Sequence, residues 1–118
     1  MIPFIPQGPS AVIYYTDDST DTSITMSNNG YGMPNVLYVV NEDSANIVAV
    51  NYSFDSDNTN ASVPTSGANG IGTIIPPYGY AMLAIDSNYR TGPLYISAAG
   101  HSGTGNVYVT PGVTQYKF

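Results

Sequence analysis

With 118 residues and an apolar share of 42%, the chain can build one domain around its own core and is too apolar for global disorder. Only 8% of its residues are charged, and two cations, Arg90 and Lys117, stand against eight acids for a net charge of −6. That balance excludes a nucleic-acid binder, which needs several cations to neutralise phosphates, and it disfavours anionic membrane surfaces for the same reason.

The absence of cysteine removes disulfides and thiolate metal sites. The N-terminus M-I-P-F-I-P-Q-G-P has neither a basic segment nor a continuous apolar run, so no signal peptide is expected. No apolar stretch approaches the ~20 residues that span a bilayer. A soluble protein made inside the cell is the expectation.

Residues 1–10 carry Pro3, Pro6 and Pro9 around Ile2, Phe4 and Ile5. Proline at that density favours an extended arm over a strand within a sheet, and its apolar side chains call for packing on the domain itself or on a neighbour. Residues 11–118 are expected to form a single domain. Residues 12–15 read as a short strand, followed by a polar turn holding Asp17, Asp18 and Asp21. Residues 22–26 alternate, with Ile24 and Met26 inward and Ser23 and Thr25 outward. Asn28-Asn29-Gly30 is a turn signal, because these residues tolerate the left-handed region. Residues 35–40 (N-V-L-Y-V-V) are apolar on both faces, and after a turn at 41–44 the chain returns over 46–54. There Val48, Val50, Tyr52 and Phe54 share one face. The pair is expected to be a hairpin at the centre of a sheet.

Residues 55–70 hold almost no apolar side chain and are expected to form a long, mobile loop suited to a contact surface. From Ile71 to Gly112, short Ile-, Val- and Tyr-rich runs alternate with Pro and Gly clusters, as in consecutive strands with tight corners. Pro76-Pro77 forbids a helix there, and Gly79 is expected to supply a positive φ. Leu94, Ile96 and Ala98 share one face and Val107 and Val109 another, while Tyr95 and Tyr108 point the opposite way. About eight short strands result, without helical periodicity. The expected fold is an all-β antiparallel sandwich, jelly-roll-like, with an extended N-terminal arm.

Chemistry-bearing patterns are few. His101, the one histidine, sits in G-H-S-G-T-G beside Ser102, where nothing orients an imidazole and a glycine-rich loop holds a base poorly. Asp55 and Asp57 begin like a calcium loop, but position 6 is Asn60 and position 12 is Ser66, so the regular pattern fails, which leaves only an irregular site shared with another loop as the alternative to solvated turn acids. Asp17, Asp18 and Asp21 likewise read as solvated turn acids. Seven of the eight acids fall in expected turns or loops, with Asp86 at a strand end, which is no basis for a glycosidase pair. Gly100, Gly103 and Gly105 resemble a phosphate loop in composition only, since no helix start or Lys-Ser/Thr pair follows. Two sequons, at Asn51 and Asn60, carry little weight without a secretion signal. No catalytic residue, cofactor or metal ligand is assigned, and the expectation is a protein that is not an enzyme.

Eleven tyrosines without a tryptophan are the positive signal. Tyr31, Tyr78, Tyr80, Tyr89, Tyr95 and Tyr108 lie by turns or on outward faces, and tyrosine buries area while keeping a polar tip. Together with the runs 35–40 and 80–85, apolar on both faces, they predict an interface. Its candidates are Ile2, Phe4, Ile5, Tyr78, Tyr80, Tyr95 and Tyr108.

At T-I-I-P-P-Y-G-Y-A-M-L-A-I and the later N-V-Y-V-T-P-G, the chain resembles the capsid decoration, or cement, proteins of tailed bacteriophages. The resemblance implies a homo-dimer or trimer on the outer surface of a virion head, tying neighbouring major capsid subunits together. It carries no catalytic residues over. Its expected partners are the major capsid protein and copies of itself. The alternative is a carbohydrate- or receptor-binding module of a tail fibre, using Tyr side chains and the 55–70 loop.

Overall fold

The computed structural model describes residues 4–6, 10–16, 18–26, 34–55, 60–85, 92–101 and 103–114. Among the described residues nine strands follow in order: β1 (Phe4–Pro6), β2 (Ala11–Tyr15), β3 (Thr20–Met26), β4 (Val36–Asn41), β5 (Val48–Ser53), β6 (Thr73–Ile75), β7 (Tyr80–Ala84), β8 (Gly92–Gly100) and β9 (Gly105–Thr114). Among the described residues there is no helix, and so none long and apolar enough to cross a membrane. The Asn28-Asn29-Gly30 turn, Asp17, Tyr31, Asp57, Asp86, Tyr89, Ser102 and Ile2 lie outside the described residues.

The strands form two antiparallel sheets. Sheet A sets β1 and β2 end to end along one side of β9, followed by β4 and β7; sheet B runs β3-β8-β5-β6. The pairs β2·β9, β3·β8, β4·β7 and β5·β6 are successive rungs of one long ribbon whose tip is the β5–β6 connection. Rolling that ribbon brings β9 against β4 and β8 against β5. The result is a jelly roll, a β-sandwich as the residue patterning predicts.

Period-two alternation fills the space between the sheets. Ile13, Tyr15, Leu37, Val39, Val107 and Val109 of sheet A meet Val48, Val50, Ile75, Leu94, Ile96 and Ala98 of sheet B, all essentially without solvent exposure. The expected inward sets of β5, β8 and β9 are all in this core, and Ile24, Tyr52 and Phe54 pack at its margin.

Three expectations change. Residues 35–54 are not a hairpin: β4 lies in sheet A and β5 in sheet B. Their connection is a wide corner, and facing Leu37 and Val39 toward Val48 and Val50 buries all four, which side-by-side pairing would not. Part of the N-terminal arm is itself a strand. Phe4, Ile5 and Pro6 pair with Thr114, Val113 and Gly112 as an edge strand, a position where proline removes no ladder bond that the sheet needs. The described part of the 55–70 loop carries backbone pairing of its own. Ser62 and Ile71 exchange backbone bonds (3.0 and 2.9 Å), Thr65 and Ala68 do the same, and Ala61 is buried against Ala49 and Ala99 on the outer side of sheet B.

The corner between β4 and β5 fastens one end of the sandwich. Asn41, fully buried, donates its amide to the carbonyls of Asn46 (2.9 Å), Pro76 (3.2 Å) and Ile75 (3.3 Å), and its Oδ1 accepts the Asp43 N–H. Asp43 then accepts from Ala45 N–H, Asn46 N–H, the Asn46 amide and the Tyr15 hydroxyl, the last at 2.6 Å. That set of donors holds the Asp43 carboxyl far below its ordinary range, with the Tyr15 bond the largest cause. Burial, and then the same bond, push the Tyr15 phenol upward.

Candidate contact surface on the outer face of sheet A

The same alternation that sends Ile13 and Tyr15 inward sends Val12 and Tyr14 outward. Register then aligns outward residues across the sheet. Val12 stands opposite Tyr108, Tyr108 opposite Val40, and Val40 opposite Tyr80; in the next row Thr110, Tyr38 and Met82 follow one another. Tyr80 is 66% exposed, Tyr14 59%, Val12 53%, Met82 41% and Tyr108 39%. Such a contiguous apolar and phenolic face on the outside of a sheet is the signature of a contact surface.

An aromatic row stiffens it. Phe4 lies 5.5 Å from Tyr38, and Tyr38 lies 5.7 Å from Tyr80, centroid to centroid, both pairs tilted. Gly112 makes this possible, because a Cβ there would sit 2.4 Å from Cε2 of Phe4. The row ties β1, β4 and β7 together across the face.

Charge is scarce on the face. Glu42, at one rim, accepts the Tyr108 hydroxyl and thereby raises the Tyr108 pKa. Tyr14 donates to Thr104 at 2.9 Å, so its ring is held while remaining exposed. Aromatic area with tethered polar tips and few ions to desolvate suits a protein partner.

The candidate residues divide. Phe4, Tyr80 and Tyr108 come together on this face. Tyr78, at the adjoining corner, is 74% exposed and has φ of +53°, a conformation unusual for a bulky residue. It occupies the third position of the Pro76–Gly79 turn, closed by a 2.9 Å bond from Gly79 N–H to Pro76 O. The positive φ expected of Gly79 therefore falls on Tyr78. Gly79 is needed for space, since a Cβ would lie 2.5 Å from Pro76 Cγ. Ile5 pairs with the inward Val113 and faces away from the surface. Tyr95 lies between Ser23 and Ser53 on the outer side of sheet B, across the molecule from the others.

Val12, Tyr14, Tyr38 and Met82 complete the surface although tyrosine position alone does not single them out. The alternation A-V-I-Y-Y and the two-sided apolar run 35–40 held that information, but only register joins them.

The other candidate sites gain little. Gly100 and Gly105 accommodate Tyr15, not a phosphate: a Cβ on Gly100 would fall 2.5 Å from Tyr15 Cε2, and one on Gly105 2.9 Å from its hydroxyl. His101 is exposed, as is Asp55. Asp21 is a strand residue, not a turn acid, and accepts a short hydrogen bond from the buried Ser97 hydroxyl. An open polar groove is lined by Glu42, Asp43, Ser44, Thr104, Gly105 and Asn106, and its two carboxylates are already engaged by Tyr108 and by the donors around Asp43. Among the described residues no three His, Cys, Asp or Glu side chains gather as metal ligands. No protein-family model, curated protein or solved structure matches this chain.

Proposed function

We propose that the chain is a structural virion protein that decorates a phage head from outside and stabilises it by bridging neighbouring major capsid subunits. The observation that carries this reading is the outer face of sheet A, where Val12, Tyr14, Tyr80, Met82 and Tyr108 stand exposed on a rigid, nearly uncharged support. Jelly rolls recur in viral capsid and lectin domains, which agrees with the architecture but assigns no partner. A cement protein needs stiffness and contact area, and the buried Asn41 and Asp43 corner together with the Phe4–Tyr38–Tyr80 row supplies the stiffness.

The test is binding to empty head shells of the virus whose genome encodes the chain. Saturation at a fixed stoichiometry, with a higher shell disruption temperature, is the expected result, and Tyr14→Glu with Tyr80→Glu should abolish it. Absence of binding by the unaltered protein overturns the proposal.

A second reading, a carbohydrate-binding module, is favoured by one feature. Tyr78, with its side chain exposed, donates its backbone N–H to the carbonyl of Asp43, one of the residues lining the polar groove (2.9 Å). That reading predicts thermal stabilisation by a sugar and loss of the effect in Tyr78→Ala.

A further inference from the structure

We infer that β7 is a self-pairing edge, through which two copies of this chain join sheet A to sheet A about a two-fold axis at Met82. The argument starts from backbone direction. Asn41 N–H donates to Gly79 O and Ile85 N–H to Asn35 O, both at 2.9 Å. With the register of β4 and β7, these bonds make Leu37–Leu83 and Val39–Ala81 the hydrogen-bonded pairs. Ala81 and Leu83 therefore turn their N–H and C=O groups toward β4. Tyr80, Met82 and Ala84 turn theirs to the open side, where among the described residues only the Tyr52 hydroxyl arrives, on the Ala84 carbonyl. A carbonyl oxygen can accept a second bond.

The strand is complementary to itself. Antiparallel pairing centred on Met82 sets Met82 against its own copy and Tyr80 against Ala84, both as hydrogen-bonded pairs of outward groups. On the outer face the Tyr80 ring then meets the Ala84 methyl. On the core side Ala81 meets Leu83. Large opposes small on both faces, and no like charges oppose one another because the strand Y-A-M-L-A has none. An isologous contact of this kind closes on two copies. For a chain of net charge −6, a neutral edge is also where self-repulsion is least.

The other edges are blunted. β3 carries Asp21, β6 has three residues and runs into Pro76, and β1 contains Pro6. β2 is uncharged, but it lies against β3 where the sheets close on that side, whereas among the described strands only β4 runs close beside β7, whose Ala81 and Leu83 side chains reach the core. Pairing through β7 would extend the outer face of sheet A across both copies. The inference does not depend on what that face binds, so shells that fail to bind leave it standing.

The test uses the whole chain and its lack of cysteine. Hydrogen-bonded antiparallel neighbours lie about 5.5 Å apart at Cα, within reach of a disulfide. Met82→Cys should therefore form a disulfide-linked dimer under mild oxidation about tenfold or more faster than Val12→Cys, whose residue is exposed on the far side of the same face. The unaltered protein should sediment as a dimer. Met82→Pro, which costs no bond to β4, should sediment as a monomer with unchanged circular dichroism. If the proline variant fails to fold, Met82→Lys replaces it, setting like charges opposite at the axis. A monomeric unaltered protein, equal cross-linking at Val12 and Met82, or a dimer that survives a folded Met82 variant each overturns the inference.

Discussion

The two sheets of this jelly roll share one core but treat their outer faces in opposite ways. Sheet A shows Val12, Tyr14, Tyr80, Met82 and Tyr108 outward and leaves them exposed. Sheet B shows mostly small and polar side chains, among them Asp21, Ser97, Ala49 and Ala99, with Tyr95 and the 40% exposed Ile74 as its large outward groups. Part of that face is covered by the chain's own β5–β6 connection, with Ala61 against Ala49 and Ala99, Asn51 donating to Asn60 O (3.0 Å), and Ser19 accepting from Ala61 N–H (3.1 Å). Large aromatic groups at Ala49 and Ala99 would leave that connection nowhere to lie. On sheet A nothing of the described chain competes for the face except Phe4. A face covered from within is part of the fold, and a bare aromatic face is available to other molecules.

The contrast can be broken by exchanging the demands on the two faces. Ala99→Leu should destabilise the protein by about 1–3 kcal/mol and open residues 60–72 to protease, because the covering segment has no space to retreat. Val12→Leu, an enlargement on the open face, should change the urea midpoint by less than about 0.5 kcal/mol in stability. Equal effects would remove the distinction between the faces. Next in size is Ser97→Ala, which strips the hydroxyl from Asp21 on sheet B and should cost about 1 kcal/mol by the same measurement.

Tyr15→Phe sharpens the role of the end corner that both sheets share. Because Asp43 titrates below its ordinary range in the folded chain, its contribution is full above about pH 4 and drains away as pH falls further. Tyr15 titrates above its ordinary range, so its contribution is full below about pH 10 and is lost above it. The variant should therefore have a lower urea midpoint than the unaltered protein at pH 7. The gap should narrow in acid and again in strong base, and a gap independent of pH would show that the hydrogen bond is not its cause. The smallest effect on stability is expected from Tyr14→Ser, which lies outside the aromatic row and should nevertheless lower the fluorescence of a bound hydrophobic dye. Unchanged dye binding would mean that the accessible apolar surface lies elsewhere.

Much of the interior was legible beforehand. Leu94, Ile96, Ala98, Val107, Val109, Val48 and Val50 follow a two-residue period, and a strand in a two-layer fold can satisfy that period only with one side in. The contact surface was legible in part. Tyr80 and Tyr108 advertise themselves as phenols beside turns or on outward positions, but Tyr95 carries the same local signal and belongs to the other side of the molecule. Ile5 faces inward opposite Val113, which apolar character alone does not reveal, because an inward edge residue and an adhesive one read alike. Gly79 and Tyr78 exchanged roles because a turn's demand for positive φ competes with the demand for space beside Pro76, and only the closed turn shows which residue meets which.

Alternation along each strand, a period imposed by the pleat itself, settled from the amino-acid order alone that this is an all-β sandwich and which side chains of β5, β8 and β9 fill it. Which strands became neighbours was left to the tertiary structure. β4 takes β9 and β7, distant in the chain, instead of β5, and the covering segment lies on one sheet only. Hydrophobic attraction is indifferent to identity among similar apolar strands, so corner geometry, the satisfied polar groups around Asn41 and Asp43, and the volume available over each face had to decide.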